Sequence, residues 1–210
     1  MSAKAIAYLR VSEALSSCEE IWEEWRDATF LVPSSQDRDA LVGRLSRAAG
    51  AKRPEVLRWG GLYLKLCDLL GVKPRRPTTP MEERFALRRI AEDLGLPHGI
   101  GDAERYRRAI KELQRDAIEP EDLEGLGGRS KALKEIYEAY LRELSSRGAI
   151  DSQRIPLEIA GMLRGFGERL PVRLAWVGFL SFTRSQLKAV LALKDLCDSI
   201  FLCPSPSPQR

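Results

Sequence analysis

The chain is poor in the residues that enzymes most often recruit. It has one histidine, His98, in a Leu-Pro-His-Gly loop. A lone loop histidine leaves a Ser/His/Asp or Cys/His constellation without a second candidate. Cys18, Cys67, Cys197 and Cys203 include no C-x-x-C pair. No zinc or iron–sulfur site of the usual spacing is expected, and the cysteines read as reduced side chains on apolar faces. The longest uncharged apolar stretch, Leu174 to Thr183, falls far short of the roughly 20 residues that span a bilayer. The apolar run after Lys4 is too short for a secretory leader. These absences predict a cytoplasmic chain with no metal, cofactor or membrane contact. A glycine-rich loop running into Lys-Ser or Lys-Thr is also missing, because Gly60-Gly61 and Gly127-Gly128 lack that continuation. This argues against a kinase or ATPase with an unorthodox phosphate loop. There is no internal repeat.

What is present suits a helix-rich globular fold. Of 210 residues, 44% are apolar, enough for a real core, and charged residues of both signs are plentiful. The net charge is only +4, but it is unevenly spread. Residues 1–30 hold three basic and six acidic side chains. Residues 37–76 hold ten basic ones, Arg38, Arg44, Arg47, Lys52, Arg53, Arg58, Lys65, Lys73, Arg75 and Arg76, against four acidic. Such a segment either attracts a phosphate backbone or is an ordinary solvated surface.

Periodicity divides the chain. Ala3–Leu9 reads as a short buried strand. A helix follows over Glu13–Arg26, with Leu15, Cys18, Trp22 and Trp25 on one face. Thr29–Val32 is a second strand, closed by Pro33, and Ser34-Ser35 caps a helix to about Ala49 with Leu41, Val42 and Leu45 inward. Val56–Trp59 is a third strand, broken by Gly60-Gly61, and Leu62–Leu70 is a helix. From Met81 to about Phe166 only helices are expected. Their faces are Leu87, Ile90, Ala91 and Leu94; Tyr106, Ala109, Ile110 and Leu113; and Leu133, Ile136, Tyr137, Tyr140, Leu141 and Leu144. Asp151 caps a fourth helix over Ser152–Arg164. Val172–Val177 is a strand again, followed by a helix that Thr183 or Ser181 caps, with Leu187, Val190 and Leu191 as its face. Ser199–Cys203 is a last strand. The predicted class is α/β with a parallel sheet: residues 1–75 and 167–204 form the sheet domain, 76–166 an all-helical insertion, and 205–210 a linker or tail.

Particular residues sharpen this layout. Lys134 to Asp151, KEIYEAYLRELSSRGAID, precedes LAWVGFLSFTRSQLKAVLAL. Together they resemble the "iY..Y...l...g..D" helix pair and the "v.vDGF..Ft..q..ll..L" strand and helix of AddB-type (RexB-type) subunits of bacterial helicase–nucleases. TFLVPSSQ resembles that family's "ilvPeq", and VLRWGGLYLKL its "v.sF.rLa" element. The matches run in order over nearly the whole chain. The resemblance implies a RecA-like, P-loop-type parallel sheet as in superfamily 1 helicases, with the chain as the N-terminal part of a longer subunit. It implies a role in double-strand-break repair and recombination, with DNA and an AddA-type helicase subunit as partners. The family's iron–sulfur nuclease domain has no counterpart in these residues.

The departures are as informative. Laid without gaps on a phosphate loop after the first strand, Leu9 and Ala14 take the two glycine positions, Leu15 the lysine and Ser16 the hydroxyl. Only Ser16 survives. Val177 replaces the acid of "vDGF". A leucine cannot neutralise a phosphate, and a valine cannot hold magnesium, so no nucleotide site and no catalytic residue is expected. What such a domain retains is either a hold on an exiting single strand or a docking surface for the helicase partner. The strand-contact candidates follow the second and third strands: Ser34, Ser35, Gln36, Arg38, Arg58 and Trp59. A capped helix N-terminus can take a phosphate and an indole can stack on a base. The same residues also read as simple helix capping (Ser34, Ser35, Gln36) and as burial between sheet and helix (Trp59).

Overall fold

The computed structural model describes residues 3–48, 53–125 and 127–205. Lys52, the expected helix end at Ala49 and the tail 206–210 lie outside them.

The chain begins with β1 (Ala3–Tyr8), α1 (Val11–Glu24), β2 (Thr29–Leu31), α2 (Ser35–Ala48), β3 (Glu55–Leu57) and α3 (Trp59–Leu69). It continues with β4 (Arg76–Pro77), α4 (Pro80–Asp93), α5 (Ile100–Arg115), a 3-10 turn at Pro120–Leu123, α6 (Gly128–Ser146) and β5 (Ala149–Ile150). A second 3-10 turn, Ser152–Arg154, leads into α7 (Ile155–Met162), β6 (Arg173–Val177), α8 (Arg184–Lys194) and β7 (Asp198–Pro204). It divides into two compact units. One holds residues 1–72, 159–182 and 189–210; the other holds 73–158 and 183–188. The first boundary, after residue 72, falls close to the break expected near 75, whereas the later ones fall inside α7, before α8 and inside α8 rather than near 167.

The first unit is built on a five-stranded, wholly parallel sheet in the order β1-β7-β6-β2-β3. Alternation along the strands sorts the side chains. Phe30, Val56, Ala175, Val177, Ile200 and Leu202 share one face, buried with Cys18, Ile21 and Trp22 of α1 and Leu41 and Leu45 of α2. Each large side chain so buried contributes about 1.5–3 kcal/mol. The flanking Leu15, Trp25 and Val42 are only partly buried against this core. Burial pushes the Cys18 thiol up to about 12, so it is an inert thiol in the core.

Four expectations fail here. β1 is an edge strand with Lys4, Ala5 and Ala7 exposed, not a buried one. A composition rich in small apolar residues does not say whether a strand lies inside a sheet or at its rim. The third strand stops at Leu57, and Arg58 is the N-cap of α3, so Trp59, Gly60 and Gly61 form its first turn. In α8 the buried stripe is Ser185, Ala189, Val190 and Leu193, while Leu187 and Leu191 are 45% and 47% exposed. The helix buries its small residues, which a search for large apolar spacing overlooks. Cys203 is likewise exposed rather than on a covered face.

The second unit packs α4, α5 and α6 through Leu87, Ile90 and Ala91, Ala103 and Ile110, and Ile136, Tyr137, Tyr140 and Leu144. Leu94, at the α4 C-cap, is 40% exposed instead. Thr79 and Glu82 close a capping box at the start of α4. The unit is not all-helical: β4 and β5 pair in parallel, Arg76 with Ala149 and Pro77 with Ile150.

Candidate nucleic-acid interface

From β2 the chain moves outward to β3, whereas from β6 it moves the other way to β7. β2 and β6 are neighbours, so the strand order reverses between them. Open parallel sheets hold ligands outside the carboxyl ends of their strands at such a reversal. The turn after β6 passes through Gly178 at φ +77°, a conformation that favours glycine. A Cβ there would sit 3.7 Å from Pro33 Cδ in the turn after β2.

The first strand feeds its helix differently from a phosphate-loop strand. β1 ends at Tyr8 and α1 starts at Val11, leaving only Leu9 and Arg10 between them. Ala14, Leu15 and Ser16 therefore lie within α1. Ala14 is buried, Leu15 half-buried and Ser16 exposed. The two amides that join β1 to α1 are occupied by the helix's own carboxylate: Leu9 and Arg10 N–H donate to Glu13 Oε2 at 2.8 and 3.3 Å. That is where an anion would sit at a helix N-terminus. Val177 is buried on the face carrying α1 and α2 and offers no oxygen.

The six strand-contact candidates sort into three groups. Ser34 is a cap: its hydroxyl accepts from Asp37 N–H at 3.1 Å and donates to Asp37 Oδ2 at 2.5 Å. Ser35 and Gln36 are exposed at the start of α2. Arg38 and Arg58 come together, lining a shallow groove of about 220 Å³ with Val56, Leu57, Gly60 and Gly61. Arg38 is held by Asp39 at 2.9 Å, whereas Arg58 is exposed and has no ion-pair partner among the described residues. Trp59 is half-buried, 5.4 Å from Trp176 and 6.4 Å from Phe179 between ring centroids.

Those rings belong to a larger aromatic cluster. Trp176 stacks on Phe201 at 5.7 Å and meets Phe182 edge-on at 5.8 Å. The indole nitrogens of Trp59 and Trp176 are buried without a partner. Leaving a donor unpaired costs about 1–3 kcal/mol. Each aromatic pair offsets about 0.5–1.5 kcal/mol of that cost. The sequence signal for this cluster was present: Trp176, Phe179 and Phe182 recur three apart across the turn after β6, and Leu180 in that turn is 84% exposed.

About half of the basic stretch over 37–76 is spent on internal pairing, Arg38 with Asp39 among it. Arg44 pairs with Glu19 at 2.7 Å and Arg76 with Glu82 at 2.7 Å, while Lys65 pairs with Glu55 and Arg75 with Glu158. Arg47, Arg53, Arg58 and Lys73 are the members with no ion-pair partner among the described residues, Arg47 donating instead to the Gly43 carbonyl at 3.0 Å. A charge count along the sequence overstates the field available to an outside anion. The described residues contain no cluster of three potential metal-binding side chains, and no helix among them is long and apolar enough to cross a membrane. No protein-family model matches the chain. The class that fold and site define is an α/β domain with a parallel five-stranded sheet and a helical second unit.

Proposed function

We propose that this chain is a helicase-like domain of the AddB type, RecA-like in fold, that binds no nucleotide triphosphate. It guides a single strand of DNA across the carboxyl ends of β2 and β3 and docks on an AddA-type helicase subunit in double-strand-break repair. The observation that carries this reading is the convergence of Arg38 and Arg58 in one groove beside half-exposed Trp59, at the strand ends next to the reversal of strand order. A groove with two guanidiniums suits a backbone phosphate, and Trp59, the residue after Arg58, is the indole nearest in sequence for a base to meet. Glu13 at the start of α1, together with Leu15 and Val177, supports the absence of triphosphate chemistry.

Fluorescence-anisotropy titration of the chain with labelled single-stranded and duplex DNA, at two salt concentrations, tests the reading. Two phosphate contacts on a single strand give a slope of log K on log salt near −1.4, or roughly sevenfold weaker binding from 50 to 200 mM. Arg58→Glu is the informative variant, because its exposed side chain leaves folding intact. It should remove most of the binding. Trp59→Ala is less clean, since it also opens the aromatic cluster. Binding that ignores both salt and Arg58→Glu, or no binding at all, sinks the strand-guide reading and leaves a docking scaffold.

A further inference from the structure

A second surface, on the helical unit, points to a protein ligand. α4 shows two stripes. Glu83, Ala86, Leu87, Ile90 and Ala91 face the unit's interior. Met81, Phe85 and Arg88, at i, i+4 and i+7, face out. Met81 is 56% exposed and Phe85 63%, and Ile100 at the start of α5 is 74% exposed. These three side chains, with Arg84, Arg88 and Ala103, line one groove of about 320 Å³. Burying so little of three large apolar side chains forgoes stabilisation that the fold could have taken.

The charge around the groove has one sign to spare. No carboxylate lines it. The nearest acids on α5 are already engaged: Asp102 by Arg105, and Glu104 by Arg84, Arg107 and Arg108. Arg88 has no ion-pair partner among the described residues.

We infer that this groove docks an amphipathic helix of another protein, one whose apolar stripe enters between Met81, Phe85 and Ile100 and whose flank carries a carboxylate for Arg88. An apolar floor with a guanidinium rim is the complement of such a helix. Single-stranded nucleic acid fits less well, because Met81 and Ile100 offer no face on which a base can stack. A second copy of the chain fits less well too. Its acidic amphipathic helix, α1, spends its apolar face on Cys18, Ile21 and Trp22 in the sheet core. The exposed leucines of α8, Leu187 and Leu191, are flanked by Arg184, Lys188 and Lys194, the wrong sign. The proposal does not depend on DNA binding at the sheet.

The test uses the full chain and fluorescein-labelled synthetic helical peptides of roughly 18 residues, five turns, with leucine at i, i+3, i+4 and i+7. One peptide carries glutamate on its flanks and its control carries lysine. The acidic peptide should bind saturably and the basic one roughly tenfold more weakly. Phe85→Ala and Arg88→Glu should each weaken the acidic peptide by about tenfold. Arg88→Glu should also narrow or reverse the preference between the two. Both side chains are exposed, so melting temperatures should stay unchanged. Equal affinity for the two peptides, or binding indifferent to Phe85→Ala, overturns the proposal. Self-association that Phe85→Ala abolishes makes the occupant a second copy and overturns it as well. Displacement of the peptide by an oligonucleotide, with loss of oligonucleotide binding in Arg88→Glu, assigns the groove to nucleic acid instead.

Discussion

Lys111 stands between two buried carboxylates. Its Nζ lies 3.0 Å from Glu83 and 3.1 Å from Asp151, and both acids are 1% exposed. Tyr140 donates to Asp151 Oδ2 at 3.2 Å, Thr78 donates to Glu83 Oε1 at 3.0 Å, and Arg107 lies 3.3 Å from Glu83. Burial, and then the charge of Asp151, push the Tyr140 hydroxyl well above its ordinary range, so it stays a donor. A buried network of this kind adds little net stability while complete, and its loss is costly because the orphaned charges remain. Lys111→Met should therefore cost about 3–5 kcal/mol. Tyr140→Phe should cost about 1–3 kcal/mol. Urea unfolding followed by circular dichroism reads both; midpoints close to the parent would mean that water or a rearranged partner replaces these groups. The "iY..Y...l...g..D" residues Tyr137, Tyr140, Leu144, Gly148 and Asp151 thus include a clasp between α6 and the turn after β5. Tyr137 completes it, receiving Arg154 Nη1 at 3.2 Å. The strongest stretch of the sequence resemblance reports on architecture, and a match there says little about ligands.

At the start of α4, the Arg76 guanidinium, followed by the Thr79 amide and hydroxyl, holds the Glu82 carboxyl down at about 2. Its ordinary value is higher, so Glu82 supports the folded state above about pH 4.5 and loses that support as pH falls toward about 2. Three arginines, Arg107 first, hold Glu104 down in the same direction. Thermal melts between pH 7 and pH 2.5 should show the helical unit weakening over this window, with a smaller change in Glu82→Gln. An identical pH profile in that variant would remove Glu82 from the account. α3 makes a different prediction. A Cβ on Gly61 would lie 3.0 Å from Leu57 Cδ2 and 3.2 Å from Leu57 Cβ. The terminal carbon can rotate away, but the Cβ cannot, so Gly61→Ala forces α3 off β3. The overpacking cost of about 1–3 kcal/mol exceeds the gain in helix propensity of about 1 kcal/mol or less. A raised melting temperature in this variant would show that the helix shifts freely. These cases mark what was legible. α1, α2, α4, α5 and α6 were readable because their apolar spacing repeats over several turns. β4 and β5 were not, since two-residue strands have no period to detect. Gly60-Gly61 looked like a strand breaker because glycine signals a turn and close helix–strand approach equally well.

Across the sheet, the alternation of strands and helices announced parallel pairing, but strand order is a matter of long-range contacts and local pattern does not encode it. The same limit applied to the candidate interface. Sequence reasoning placed Arg38 in the helix after the second strand and Arg58 in the third strand, and only the fold brings them into one groove, while Ser34 proves committed to Asp37. The ungapped phosphate-loop alignment could not foresee that just two residues join β1 to α1, or that Glu13 takes the free amides. A titration with labelled ATP should accordingly show no saturable binding; micromolar affinity would mean that Leu15 and Val177 are the wrong positions to judge by. The pairing of Ala3 with Ser199 has a further consequence, for the order in which the molecule assembles. Among the described residues β1 pairs only with β7, so during synthesis it waits, with both edges bare, until nearly two hundred residues have emerged behind it. Contacts closed over so long a loop form late and slowly. A chain truncated after Lys194 would keep β2, β3 and β6 side by side but leave β1 with nothing to join, and protease should find Ala3–Tyr8 first.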